Sequence, residues 1–408
     1  MARNLCLGGV KMKRLHYDDS SRAVLVFGSL SLAIATCFLA VSILRQVGEF
    51  HLTHYYFNYE HEFIRRGLVG EFLRLLNFPI SNLSISLTYS MATVGFLLLL
   101  VLISAKVLQA LPARQSILFV AFMMACPGLT LHYAYSSFGY LDIFQLLFVV
   151  MGLISIYLCR LLTALMVTAL LGCAAVLIHE SSLIVTIPVL LVGLAIKFPD
   201  QFGYVKAAAF FAGFLVFTIV VWYFGSADTM SFEEHVAILS KAAHQPNDIS
   251  SDAVVVLHRN LADNVGLVLP WSPWWYGWQQ LKFVVFAFPY LFFLVVCLRG
   301  AYKFLADKGH QLPGLLAIAA VFAPILLYPI GHDYFRWWSF AMTNFFLITL
   351  FLTAVHPSYL NRLGQMLTQH RNMIVLGITI GFMFGGIGGL VSFSVHTSPM
   401  AMMYRAVF

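Results

Sequence analysis

Charge is scarce in this chain. Only 10% of its 408 residues are Asp, Glu, Lys or Arg, whereas 61% are hydrophobic, and the apolar residues come in runs longer than a soluble core of this size needs. That excludes an ordinary soluble domain and implies an all-α polytopic membrane protein. Cysteines are few and poorly placed for a disulfide framework or a Cys-based metal site. Cys6 is in the N-terminal tail, and Cys37, Cys126, Cys159, Cys173 and Cys297 are in apolar segments. A small-residue cleavage site is missing after the basic tail (Arg3, Lys11, Lys13, Arg14, Arg22), so the first apolar stretch reads as a retained span rather than a signal peptide. No nucleotide-binding motif is visible. No convincing internal repeat is present either, which argues against an inverted-repeat transporter. The net charge of +7 resides mostly in short loops, where Lys and Arg set orientation, so nucleic acid is not an expected partner.

What is present is a series of apolar segments at 23–44, 84–104, 116–133, 139–159, 161–178, 181–197, 207–224, 281–298, 313–330, 336–355 and 372–392, about eleven spans of roughly 20 residues. With residues 1–22 as a cytoplasmic tail, the inside loops carry Lys106 and Arg114, Arg160, Lys197 and Lys206, Arg299, Lys303 and Lys308, and Arg362 and Arg371. The C-terminus then lies outside. Residues 23–224 form an N-terminal membrane module of about seven spans with a long outer loop at 45–82. A second outer loop covers 225–280, and 281–408 form a C-terminal module of about four spans. Segment 161–197 must cross twice, turning at His179-Glu180. All seven Trp are expected at the outer interface or in the outer loop, and Gly381, Gly385, Gly386, Gly388 and Gly389 read as a helix-packing face.

On this topology the polar clusters gather on one side. In the first outer loop, an amphipathic surface helix is expected from about Glu62, with Ile64, Leu68, Phe72 and Leu75 on one face and Glu62, Arg66 and Arg74 on the other. Arg65 points toward the apolar face, and Gly67 and Gly70 leave room for a close approach by backbone or a headgroup. Glu60 or Glu62 is the candidate catalytic acid, and Arg65 and Arg66 form the candidate phosphate-binding pair, because guanidinium forks match phosphate oxygens. An interfacial anchor with ordinary charges is the plainer alternative. Asp142 opens the fourth span, where the helix dipole alone would favour it. His179 and Glu180 lie in a turn with Ser181 and Ser182 as candidate caps. The pair lacks the second His of an HExxH site, and His51 and His54 would add ligands only if the fold brings them there, so no metal site is assigned. His332, Asp333 and Arg336 begin the tenth span as an ionisable trio that needs protein or a wet cavity around it. The WSPWWYGW run suits an interfacial belt or sugar stacking.

This layout, over roughly residues 20–225, resembles the GT-C class of polytopic glycosyltransferases, with its long first outer loop, surface helix and acidic residue. FIRRGLVG and GHDYFRW look like strings of membrane proteins associated with bacterial surface-polysaccharide synthesis. The class carries Asp in that loop and this chain has Glu. The resemblance implies a bacterial inner-membrane enzyme that takes a polyprenyl-phosphate sugar as donor and a glycan as acceptor at the outer face. Glu60 or Glu62 would be the base, Arg65, Arg66 and Arg336 would hold phosphate, and Asp142, His179, Glu180, His332 and Asp333 would position substrate. No cofactor is required, with room left for a divalent cation. A lipid-linked repeat-unit polymerase, a transporter or flippase of an anionic lipid or solute, and a structural membrane subunit are the competing expectations.

Overall fold

A computed structural model describes residues 19–45, 47–126, 129, 133, 137–226, 230–243, 245, 248–259, 273–330 and 334–384, and every regular element among them is helical. His332 and Asp333, the side chains of the WSPWWYGW run, and Gly385, Gly386, Gly388 and Gly389 lie outside the described residues.

The helices are α1 (Asp19–Arg45), α2 (Glu49–Tyr56), α3 (Leu68–Leu75), α4 (Asn82–Val107), α5 (Ala113–Ala125), α6 (Asp142–Leu158), α7 (Leu161–Ile178), α8 (Ser182–Val185), α9 (Ile187–Lys197), α10 (Tyr204–Phe224), α11 (Phe232–Ala242), α12 (Ser251–His258), α13 (Pro273–Ala306), α14 (Gln311–Phe322), α15 (Tyr334–Val355), α16 (Tyr359–Gln369) and α17 (Arg371–Phe384), with a 3₁₀ segment at Ala323–Ile330. Six described segments are long and apolar enough to cross a bilayer: Asn82–Val107, Leu161–Ile178, Tyr204–Phe224, Ala287–Ala306, Gln311–Tyr328 and Arg336–Val355. The chain is a multi-pass helical membrane protein. Other expected spans are short, among them Ala113–Ala125, Asp142–Leu158 and Arg371–Gly381. Thirteen residues rise only about 20 Å, less than the hydrocarbon thickness of about 30 Å. The expected 181–197 span is divided between α8 and α9 at Thr186, with Pro188 in the first turn of α9, where its missing N–H is harmless.

Burial ranks the helices. The membrane window of α15 is 83% buried and that of α10 only 22%, so α15 is the central post and α10 faces outward. Around α15 stand α4, α9, α14 and the 3₁₀ segment; α1 packs on α4 and α5, and α17 lies between α5 and α13. Gly381 permits that last contact, since a Cβ there would lie 2.0 Å from the Ala125 carbonyl oxygen and 2.7 Å from the Tyr290 hydroxyl.

One end of the bundle carries a cap made from both long loops: α2 packs against α3 and α12, and α11 against α12. Ser231 starts α11 by accepting a hydrogen bond from Glu234 N, and Glu233 and Glu234 complement the helix dipole. The two loops are tied together where Ser250 N donates to Thr53 Oγ1 at 2.8 Å.

The first loop differs from the sequence expectation. Residues 60–67 form bends and turns, and the amphipathic helix begins only at Leu68. Glu62 and Arg66 are therefore not an i,i+4 pair. Arg74 pairs instead with Glu71, and Arg66 leaves the surface altogether. The outer face of α3 and its exit is apolar, with Phe72, Leu75 and Leu76 all exposed, as suits a helix lying at an interface. Its other side is close-packed, because a Cβ on Gly70 would lie 2.0 Å from the Phe57 carbonyl oxygen. The expected close approach at this glycine is thus made by backbone.

Candidate functional site

Arg66 turns the chain. Its φ of +66° lies in the left-handed region, which is unfavourable for a residue with a Cβ, and the reversal sends two consecutive arginines to different destinations. Arg65 N donates to the Gly225 carbonyl. The Arg65 guanidinium, 1% exposed, donates to the carbonyls of Val256, Leu257 and Arg259 and lies 4.0 Å from the centroid of a Trp222 ring. Two of those carbonyls belong to the last turn of α12 and the third to Arg259 just beyond it, where a helix runs out of its own donors. Arg65 is therefore placed as a cap on that helix. The sequence placed the two arginines on different faces, but neither partner could be read from it.

Arg66 reaches into the bundle. Its Nε donates to Glu180 Oε2 at 3.0 Å and its Nη2 to Glu180 Oε1 at 2.5 Å, a bidentate pair with both side chains nearly buried. Burial alone would raise the Glu180 carboxyl, but the Arg66 charge and its hydrogen bonds override burial and hold it well below the usual carboxylate range. Arg66 Nη1 approaches His54 Nε2 at 3.4 Å. His54 Nδ1 bonds the Phe50 carbonyl oxygen at 2.8 Å, so the ring proton sits on Nδ1 and the Nε2 lone pair faces the guanidinium. Burial, with the Arg66 charge adding to it, pushes the His54 imidazole down to about 3.

The turn after α7 supplies the next group. Ser181 N donates to His179 Nδ1 at 3.1 Å, which fixes the ring proton on Nε2. Neither serine caps as the sequence suggested: Ser182 Oγ bonds Gln145 and the Ala175 carbonyl, and Ser181 makes no side-chain cap. His179 is neutral as well, lowered first by burial and then by Arg66.

A second buried pair joins two helix starts. Asp142 opens α6 and is fully inaccessible. Arg336, in the first turn of α15, donates to it from Nε at 2.6 Å and from Nη2 at 2.5 Å. Asp142 suits the positive end of its helix, whereas Arg336 does not suit the positive end of its own, so the carboxylate is what makes that cation tolerable. Tyr140 and Trp337 flank the guanidinium, their ring centroids 4.7 and 5.2 Å away, and the Tyr140 ring also meets His51 at 4.0 Å. The turn before α6 is set by Gly139, at φ +91°, and by the Tyr55 hydroxyl, which donates to its carbonyl. Trp337 is buried against Arg336.

Arg66, Asp142, His179, Glu180 and Arg336, separated by up to 270 positions in the chain, thus meet at one end of the bundle. The field of Arg336 reaches both His54 and His179. Glu60 and Glu62 lie in the cap. They line a crevice of about 40 Å³ with Tyr56, Asn58, His61 and His235. His235 is lowered by burial and by His258, whose Nε2 is 3.3 Å from its Nδ1, with Glu62 opposing. The structure thus shows a buried ionic network and, in the cap, a polar crevice. Tyr140, His235 and His258 were not anticipated, and His54 entered only as a residue the fold might bring in. Among the described residues no group of three His, Cys, Asp or Glu side chains is placed to hold a metal ion.

Comparison with known proteins gave no matching family model, no matching curated protein and no matching solved structure.

Proposed function

We propose that this chain is a membrane glycosyltransferase acting at the extracytoplasmic face of a bacterial inner membrane, with a polyprenyl-(di)phosphate sugar as donor and a glycan as acceptor. The observation that carries this reading is the convergence of Arg66 and Arg336, each held in a fixed fork geometry by a carboxylate, beneath a cap whose crevice contains Glu60 and Glu62. Burying two guanidinium groups for structure alone is costly, because apolar residues of similar volume would pack there as well. Pre-positioned forks are what a reaction that expels a phosphate requires.

On this reading Glu62, half-buried in the crevice against His235, takes the proton of the acceptor hydroxyl. The acceptor oxygen attacks the anomeric carbon, and the bond from that carbon to the phosphate oxygen breaks. The electron pair leaves with the lipid phosphate, whose growing charge Arg66 and Arg336 stabilise. Glu180 and Asp142 are too firmly ion-paired to act as bases, and they orient the forks. His54 and His179, both neutral, have the chemistry to hold sugar hydroxyls. The lysines and arginines at the opposite helix ends support an orientation with that end cytoplasmic.

The test is mass spectrometry of polyprenyl-linked saccharides and surface glycans in cells with the gene, without it, and with Glu62→Gln. The reading expects a lipid-linked glycan short of one residue to accumulate in both deficient strains, with normal membrane insertion of the variant. Accumulation of complete single repeat units points to a polymerase instead. Unchanged lipid-linked pools and glycans refute both and favour transport.

A further inference from the structure

At the end of the bundle away from the polar site, α4, α6 and α15 leave a cleft of about 520 Å³. The placement follows from helix direction: α6 and α15 begin at Asp142 and Arg336, and the cleft lies against their far halves, Val150 to Leu158 and Leu347 to Ala354. Its floor is the buried face of α15, with Leu347 and Leu350, and its walls are Leu100, Ile103 and Leu153. Leu102, Ile154 and Leu158 line the cleft and are exposed on the outside of the bundle, so it opens sideways toward lipid.

The polar groups are distributed unevenly. None of the lining residues is acidic, and Thr353 is satisfied by the Thr349 carbonyl within its own helix. The others, Lys106, Gln109 and Tyr157, come from the ends of α4 and α6 and the loop beyond α4. Lys197, at the end of α9, sets its Nζ 5.2 Å from the centroid of the Tyr157 ring and adds a second cation to that rim. His356, next to the lining residue Pro357, is lowered first by burial and then by Lys308, with smaller contributions from His310 and Lys197. A span-end lysine by itself is an ordinary solvated charge. An apolar cleft open to hydrocarbon beneath a rim of cations is complementary to an amphiphile with an anionic head.

We propose that this cleft binds one acyl chain of an anionic phospholipid, with the headgroup phosphate at the rim beside Lys106 and Lys197. The assignment does not depend on the glycosyl-transfer reading, since it uses none of the same residues.

The experiment is native mass spectrometry of the full-length, delipidated protein titrated with phosphatidylglycerol or with phosphatidylcholine of the same chains. Phosphatidylglycerol should bind more tightly, and Lys106→Gln and Lys197→Gln should each weaken it roughly fivefold while leaving phosphatidylcholine unchanged. Lys241→Gln, in α11 of the cap, should have no effect. Ala354→Trp should fill the cleft and abolish binding of both lipids. Ile154→Trp, at the open edge, should do the same with less risk to folding. Equal binding of the two lipids by the unaltered protein, or retained phosphatidylglycerol binding in a folded Ile154→Trp protein, overturns the proposal. So does recovery of a polyprenyl phosphate from the site, or of a lipid-independent dimer that Ile154→Trp breaks.

Discussion

The Asp142–Arg336 pair allows a quantitative test of how the site is held. Asp142 is wholly inaccessible and Arg336 is 7% exposed, and two hydrogen bonds of 2.6 and 2.5 Å join them. Asp142→Asn keeps the shape and removes the charge. It strands a buried guanidinium at the N-terminal turn of α15, where the helix dipole also opposes it. Breaking such a pair from one side costs about 3–5 kcal/mol, which for a chain of this length corresponds to a Tm lowered by on the order of 5 °C. Arg336→Met strands the carboxylate and should cost a comparable amount. The double variant Asp142→Leu/Arg336→Met replaces both charges by apolar volume and should return to within about 1 kcal/mol of the parent. The assay is thermal unfolding of the detergent-solubilised protein, with the parent, Asp142→Leu, Arg336→Met and the double variant measured together as one cycle and Asp142→Asn beside them. Additive losses in the double variant, or single variants that melt like the parent, would refute the reasoning. A double variant that is stable yet makes no product would separate the functional use of the pair from its structural one.

Two further outcomes follow from the same geometry. The unfolded chain protonates His54 near 6.5 and the folded one only near 3, so His54 costs nothing above pH 6.5 and removes stability as pH falls toward 3, by about 1.4 kcal/mol per pH unit. His54→Gln should flatten unfolding stability between pH 6.5 and 5, and parallel pH profiles for the two proteins would sink the assignment. Arg65→Lys keeps the charge and loses the fork that caps α12, so limited proteolysis should accelerate within 230–259 while the bundle melts at nearly the same temperature. Unchanged cleavage with lost product would instead return Arg65 to a phosphate-binding role.

The helical class was legible because apolar runs of span length admit few other structures in a bilayer, and the break at His179 was legible because two basic flanks enclose one apolar stretch. Ser81 and Ser84, which close a reciprocal cap at the start of α4, show how local chemistry marks a helix end. The surface helix was half legible. Its apolar periodicity was real, but its start depended on Arg66, which adopts a left-handed backbone in order to reach Glu180.

Sequence by itself determined the helical membrane class and the presence of acids, arginines and histidines in a few short strings. These depend on composition and on distances of a few residues along the chain. Only the tertiary structure decided the partners: Arg66 with Glu180, Arg336 with Asp142, and Arg65 with the end of α12 rather than with its neighbour. Each of these links joins groups more than a hundred positions apart. A buried charge is satisfied by whatever the packed helices bring within hydrogen-bonding reach, and neither spacing nor propensity along the chain records that choice.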